Sequence, residues 1–225
     1  MENRSIALDG PGGAGKSTLA RMVAEHFKLI YVDTGALYRC VALYVTGKNA
    51  ATTDAAAVTR LLAEINIEMR YDSEGKQRTY LNGTDVSESI RLPEISMAAS
   101  NVSAIPAVRE FLLSMQREMA IKHDVIMDGR DIATVVLPDA GLKVFLTATA
   151  EVRAQRRYLE LQEKNIETTF EEVLSDMIKR DKNDSERALA PLKPAPDSII
   201  LDTTFFDLEE SFNALSDIVS SRFDL

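Results

Sequence analysis

The chain has one cysteine, no tryptophan and two histidines in 225 residues, and it contains no apolar run long enough to span a bilayer. Each absence excludes a class of chemistry. A lone thiol, Cys40, forbids an intrachain disulfide and a thiolate metal cluster, which suits a reducing compartment. Basic residues are also in the minority: 26 Lys and Arg against 35 Asp and Glu leave a formal charge of −9. An acidic surface repels nucleic acid and anionic membranes, so neither is expected as a main partner. The first residues, Met1-Glu2-Asn3-Arg4, have neither a signal peptide's apolar core nor a transit peptide's basic amphipathic pattern. A soluble, cytoplasmic protein is expected. With 45% hydrophobic composition, the length suits a single α/β domain over 1–225 with insertions better than two independent domains.

Against this background the glycines stand out. Residues 10 to 17 read Gly10-Pro11-Gly12-Gly13-Ala14-Gly15-Lys16-Ser17, between the apolar run Ile6-Ala7-Leu8 and an amphipathic stretch that begins at Thr18. Strand, glycine-rich loop and helix in that order make a P-loop. Its glycines leave main-chain N–H groups free to surround phosphate oxygens. Lys16 is placed to reach the β and γ phosphates, Ser17 offers a hydroxyl to Mg²⁺, and the helix N-terminus faces the anion. Leu19, Met22, Val23 and Phe27 recur at helical spacing behind the loop, as a helix packed on a sheet requires.

Short apolar runs ending in a polar residue recur at Ser5 to Asp9, Leu29 to Asp33, Asp124 to Asp128, Lys143 to Thr147 and Ser198 to Asp202. Such runs suit buried parallel strands, whose carboxyl ends carry function. Helical patterns lie between them, and the alternation predicts a three-layer, doubly wound α/β fold: a five-stranded parallel sheet with helices on both faces. One region departs from it. Ile65 to Tyr71 and Arg78 to Leu81 read as two antiparallel strands joined by the turn Asp72-Ser73-Glu74-Gly75, and Asn82-Gly83 is a second turn signal. Helical patterns follow near Pro93 to Val102 and Pro106 to Ile121, so about 63–105 reads as an inserted subdomain. The Pro-rich stretch 191–196 is a rigid connector into the last strand.

The P-loop implies ATP or GTP without saying what is done with it. Asp33-Thr34-Gly35-Ala36-Leu37-Tyr38-Arg39 follows the second strand, and Asp128-Gly129-Arg130-Asp131 follows the third. Asp128 is placed like a Walker B carboxylate, able to hold Mg²⁺ directly or through water. Arg153, Arg156 and Arg157 are spaced to share one helix face, and Arg180, Asp184 and Arg187 do likewise provided that their helix continues to 187. Two such sets flanking the polar segment Gln162 to Thr169 suit a phosphate-covering lid over about 153–180, which neutralises developing charge and excludes water. His26, inside the first helix, and His123, beside a strand start, read as structural. No Asn-Lys-x-Asp guanine-reading motif is present, which weakens a GTPase or nucleotide-switch reading. A kinase of another nucleoside monophosphate or of a small metabolite remains open at this point.

These strings, in this order, resemble bacterial-type cytidylate kinases over nearly the whole chain. The resemblance is carried by the P-loop at 10 to 17, Asp-Thr-Gly-Ala-Leu-Tyr-Arg at 33 to 39, Ala-Ala-Ser-Asn-Val-Ser at 98 to 103, Val-Arg-Glu at 108 to 110, Asp-Gly-Arg-Asp at 128 to 131, Leu-Gln-Glu-Lys at 161 to 164, and Arg-Asp-Lys-Asn-Asp-Ser-Glu-Arg-Ala at 180 to 188. It implies a P-loop kinase that uses ATP and Mg²⁺ to phosphorylate CMP and dCMP in pyrimidine nucleotide metabolism, acting as a monomer. By matching position it implies that residues 10–17 with Thr18 hold ATP, and that Ser17 and Asp128 hold the metal. Ser100, Arg109 and Asp131 would read cytosine, with Thr34 in the same acceptor pocket and Arg180 and Asp184 near the sugar. Arg39, Arg130 and Arg187 would hold the acceptor phosphate. Lys16, Arg39, Arg130, Arg153, Arg157 and Arg187 would act on the transferring phosphoryl group. Some relatives carry Ser at the position of Thr34 and Gly at that of Ser17.

Overall fold

The structure, a computed structural model, describes residues 4–72 and 77–224. The first half runs β1 (Ser5–Asp9), α1 (Lys16–Phe27), β2 (Ile30–Asp33), α2 (Thr34–Gly47), α3 (Ala55–Leu61), β3 (Ile67–Tyr71), β4 (Gln77–Leu81), β5 (Thr84–Asp85) and α4 (Pro93–Ser103). The second runs α5 (Pro106–Lys122), β6 (Val125–Gly129), β7 (Leu142–Thr147), α6 (Ala150–Glu163), α7 (Phe170–Glu186), β8 (Ile199–Asp202) and α8 (Leu208–Phe223), with one π turn at Ile132–Val136 between β6 and β7.

Two compact units result. The first, Met1–Asp33 with Arg117–Leu225, holds a five-stranded sheet in the order β2-β6-β1-β7-β8, parallel at every pairing. The expected five strands are therefore present, shifted by no more than a residue or two at each end. β2 starts at Ile30 instead of Leu29 because Lys28 turns left-handed (φ 57) to close α1, and the Leu29 N–H is used on the Ala24 carbonyl. β1 lies at the centre, and Ile6, Ala7 and Leu8 are fully buried. Ile6 and Leu8 pack with Leu19, Ala20 and Val23 of α1 and with Leu215 and Val219 of α8, the helical spacing that amphipathic helices present to a sheet. The register sets Leu8 against Asp128 and Asp9 against Gly129, and Asp33 against Asp128. Three carboxylates thus collect at the carboxyl edge, where open α/β sheets present their ligand groups.

The second unit, Thr34–Gln116, builds its own core. Leu37, Cys40, Val41 and Val45 of α2 meet Ile95, Ala99 and Val102 of α4, with Val58, Ile67, Leu81 and Leu112 closing the cluster. β3 and β4 pair antiparallel, Ile67 opposite Leu81, and β5 extends them as a third strand. Asn82-Gly83 makes the β4–β5 turn, with both residues at positive φ. Residues 73–75 of the expected β3–β4 turn lie outside the described residues. The expected insertion over 63–105 lies inside this unit. No helix among the described residues is long and apolar enough to cross a membrane.

Candidate active site

The loop that follows β1 depends on the missing side chains of two glycines. Gly10 has φ +149, and a Cβ there would overlap the carbonyl oxygen of Leu146 on β7. Gly13 has φ +72, and its Cβ would overlap Met177 Cε and come within 3.0 Å of the Arg153 carbonyl oxygen. Lys16, the first residue of α1, folds back so that Nζ donates to the Pro11 carbonyl at 2.8 Å. Burial holds its pKa well below the ordinary lysine value, and the positive charges of Arg130 and Arg180 push in the same direction. An ammonium desolvated among guanidinium groups is a site prepared for an anion.

Asp128, at the end of β6, has both oxygens engaged: Ser17 Oγ donates to Oδ2 at 2.7 Å and the Tyr31 hydroxyl to Oδ1 at 3.0 Å. Burial raises the Asp128 pKa, reinforced by the nearby Asp33 charge. Burial also raises that of Tyr31 well above its ordinary value, as do the Asp128 and Asp33 charges. The Ser17 hydroxyl and the Asp128 carboxylate are hard oxygen donors 2.7 Å apart, a set that fits Mg²⁺. Among the described residues no three His, Cys, Asp or Glu side chains are grouped to hold a metal.

Three arginines of this unit are each paired with a carboxylate. Arg130 Nε donates to Asp184 Oδ2 at 3.0 Å, and Arg180 Nε lies 4.0 Å from the same oxygen. Arg187 Nη2 donates to Asp131 Oδ1 at 3.3 Å, while its Nε donates to the Ala190 carbonyl. Asp131 and Asp184 are buried. A methyl placed on Gly12 would stand 3.6 Å from Arg130 Nη2 and 3.8 Å from Arg180 Nη1, so these two guanidinium groups border the P-loop. α7 begins on a capping box in which Thr169 and Glu172 satisfy each other's backbone N–H groups, and it ends at Glu186. The helix does not carry on to 187 as the sequence pattern requires for a shared face. Arg187 takes extended backbone (φ −62, ψ 140) and reaches Asp131 by leaving the helix.

The three arginines of α6 divide their work. Arg153, buried, donates from Nε to the Ala148 carbonyl at 2.9 Å and from Nη1 to the Gly12 carbonyl at 3.0 Å. Its Nη2 pairs with Asp181 at 2.7 Å, so it braces the P-loop against α7. Arg156 donates to the carbonyl oxygens of Thr203 and Phe206. Arg157 pairs with Glu160 at 2.8 Å. His26 packs edge-on against the rings of Phe27 and Phe212, the structural role expected of it.

The remaining expected residues belong to the second unit. Thr34 is buried at the start of α2, and Arg39 lies five residues further along that helix. Arg109 of α5 stands over the Tyr38 ring, 5.8 Å from its centroid, and donates to the Ser103 carbonyl. Ser103 Oγ in turn donates to the Ser100 carbonyl. Stacking and hydrogen bonding together hold the guanidinium plane, a form of support that lysine does not provide.

Sequence reasoning passed over three residues that organise the site: Tyr31, Asp181 and Asp9. Asp9, the last residue of β1, accepts from the N–H groups of Ile132 and Ala133, each at 2.8 Å. Burial pushes its pKa up to about 6 against the pull of those two hydrogen bonds, with the Asp131 charge raising it and Lys16 lowering it. An acid at the carboxyl end of a central strand, immediately before the glycine loop, was the available signal.

A parallel α/β sheet, a lysine-bearing P-loop with a hydroxyl and carboxylate pair, and arginines bordering the loop define a P-loop phosphotransferase. A family model described as cytidylate kinase matches residues 6–221, and the chain belongs to that family. It is 48% identical over 210 residues to a cytidylate kinase of Caldicellulosiruptor bescii, covering 93% of this chain and 92% of that one. It is 44% identical over 220 residues to a cytidylate kinase of Carboxydothermus hydrogenoformans, covering 98% and 99% of the two chains.

Proposed function

We propose that the protein transfers the γ phosphoryl group of ATP to CMP and dCMP, giving ADP and the corresponding diphosphate. The observation that carries this reading is the P-loop bordered by Arg130 and Arg180, with the buried carboxylate of Asp131 held by Arg187 in the same unit. An oxygen of the acceptor phosphate attacks the γ phosphorus in line, and the bond to the β–γ bridging oxygen breaks. Positioning and charge stabilisation dominate such a transfer, so no covalent nucleophile is assigned. Lys16 gives up the Pro11 carbonyl for phosphate oxygens. Arg39, Arg130 and Arg187 hold the acceptor phosphate, Arg180 and Asp184 lie near the sugar, and Arg157 serves the transferring group from the lid. Arg153 acts through the loop that it braces. Ser17 and Asp128 would hold Mg²⁺, which supplies neutralisation of phosphate charge when bound.

Selectivity follows from hydrogen-bond polarity. Cytosine presents an amino donor at position 4 and acceptors at positions 3 and 2, whereas uracil has a carbonyl at 4 and an N–H at 3. The Asp131 carboxylate accepts from the first pattern, and the Arg109 guanidinium, supported by Ser100, donates to it. Both face the wrong polarity in uracil. A site built on such bonds rejects the mismatched partner by up to roughly four to five powers of ten, and less where water enters. Initial rates with CMP, dCMP, UMP and AMP test the assignment. Strict dependence of ATP consumption on CMP or dCMP is expected; no CDP from CMP, or ATP turnover without any acceptor, refutes it. We further take the protein to be monomeric and cytoplasmic.

A further inference from the structure

The turn that carries Asp131 is capped by a residue from elsewhere in the chain. An aspartate at the N-cap of a helical turn ordinarily turns its own carboxylate onto the second or third N–H behind it. Asp131 occupies that position, with non-helical backbone (φ −147, ψ 28), at the head of the π turn Ile132–Val136, and its side chain makes no capping bond. The N–H groups at the head of the turn are satisfied instead by Asp9, which takes Ile132 N–H on Oδ1 and Ala133 N–H on Oδ2 at 1% exposure. Asp131 is thereby released to meet Arg187. A single π turn inside an otherwise regular fold often marks a functional site, and here it presents Arg130 and Asp131 on its leading edge.

We propose that Asp9 is a positioning residue for acceptor selection: by capping the 132–136 turn in place of Asp131, it keeps the Asp131 carboxylate directed to the acceptor base. The inference rests on the CMP kinase reading above. Without Asp9, the Ala133 N–H loses its acceptor, and Asp131, at the N-cap position, is the residue whose carboxylate ordinarily caps that N–H. Self-capping would restore the turn while withdrawing the carboxylate from base recognition. Asp9 therefore acts on selectivity through Asp131, without touching substrate.

The test is Asp9→Asn, read on the ratio of kcat/KM for CMP to that for UMP and, separately, on ADP affinity by calorimetry. A displacement of about an ångström at a positioned group costs on the order of a hundredfold, so the ratio is expected to fall at least about tenfold while ADP affinity stays within about threefold. Combining Asp9→Asn with Asp131→Ala should reduce the ratio no further than Asp131→Ala alone. A purely structural cap would lower the melting temperature and leave the ratio unchanged, and that result overturns the proposal, as does full additivity in the double variant. Should Asp9→Asn fail to fold, Asp9→Ser, which is smaller and keeps one hydroxyl acceptor, is judged by the same two criteria. Failure of the wild type to make CDP from CMP sinks the functional reading instead; a selective wild type with an equally selective Asp9→Asn variant sinks only this inference.

Discussion

Two glycines of the P-loop look alike in the sequence, yet the structure demands opposite consequences when each becomes alanine. At Gly10 the new Cβ meets backbone, overlapping the Leu146 carbonyl oxygen and lying 3.0 Å from its carbon, at φ +149. Neither neighbour is the flexible end of a side chain, so β1 and β7 must separate at the centre of the sheet. Overpacking of this kind costs about 1–3 kcal/mol and the unfavourable φ about 1–3 kcal/mol more, for a total of about 2–6 kcal/mol. Gly12 lies outside the positive-φ set, and its Cβ has ordinary contacts at 3.6 and 3.8 Å. There alanine restricts the unfolded chain and should change stability by less than about 1 kcal/mol, in the favourable direction. Those contacts, however, are the guanidinium nitrogens of Arg130 and Arg180, so the methyl occupies space a phosphate must enter. Turnover should fall about a hundredfold or more, the scale of an ångström's misplacement.

Urea unfolding followed by circular dichroism, suited to a chain without tryptophan, measures the first quantity. Steady-state phosphorylation of CMP and calorimetric ADP binding measure the second. A Gly12→Ala variant that loses more stability than Gly10→Ala refutes the packing argument; one that turns over like wild type refutes the placement of phosphate between the loop and the two arginines.

Three further outcomes are expected. Lys16→Ala should lower turnover at least about a hundredfold, near 3 kcal/mol of barrier, in a protein whose unfolding midpoint is not reduced, because a desolvated ammonium has been removed; near-normal turnover would contradict the role of Lys16. Tyr31→Phe, isosteric apart from the hydroxyl that Asp128 accepts, should lose about 1.5–3 kcal/mol in urea unfolding and raise the Mg²⁺ concentration for half-maximal rate severalfold; an unchanged Mg²⁺ titration would show that Asp128 needs no second support. The raised pKa of Asp9, about 6 against 3.8, means that the fold favours its protonated form, a contribution present in full below about pH 4 and lost as pH rises through about 6. The stability of wild type relative to Asp9→Asn should therefore fall by about 3 kcal/mol across that window, and a flat or rising difference in urea unfolding refutes the assignment.

What the sequence disclosed followed from periodicity and local chemistry. The parallel strands were legible because each is an apolar run closed by a polar residue, and the P-loop because its meaning lies in eight consecutive residues. What it hid depends on contacts between distant residues. Tyr31 meets Asp128 across 97 positions and Asp9 meets Ile132 across 123, and nothing local distinguishes either from an ordinary strand residue. The shared face proposed for Arg153, Arg156 and Arg157 was a sound inference from spacing, yet the three side chains are long enough to diverge to Gly12, Thr203 and Glu160. Arg187 illustrates the same limit at a helix end: Glu186 closes α7, and one residue of extended backbone redirects the guanidinium to Asp131.

The acidic residues of the site answer a difficulty its cations create. Arg130 and Arg180 border one short loop near Lys16, and like charges a few ångströms apart repel by about 4 kcal/mol per pair at an effective dielectric near 20. Without compensation the groups would splay into solvent and have to be reordered by each arriving nucleotide. Asp184 opposes this directly, with one oxygen 3.0 Å from Arg130 and 4.0 Å from Arg180, while Asp131 holds Arg187 and Asp181 holds Arg153. The carboxylates lower the net positive charge a phosphate meets, but they fix the directions of the donors before it arrives. In phosphoryl transfer, where catalysis is largely positioning and electrostatic preorganisation, direction is the more valuable of the two, and the paired carboxylates supply it.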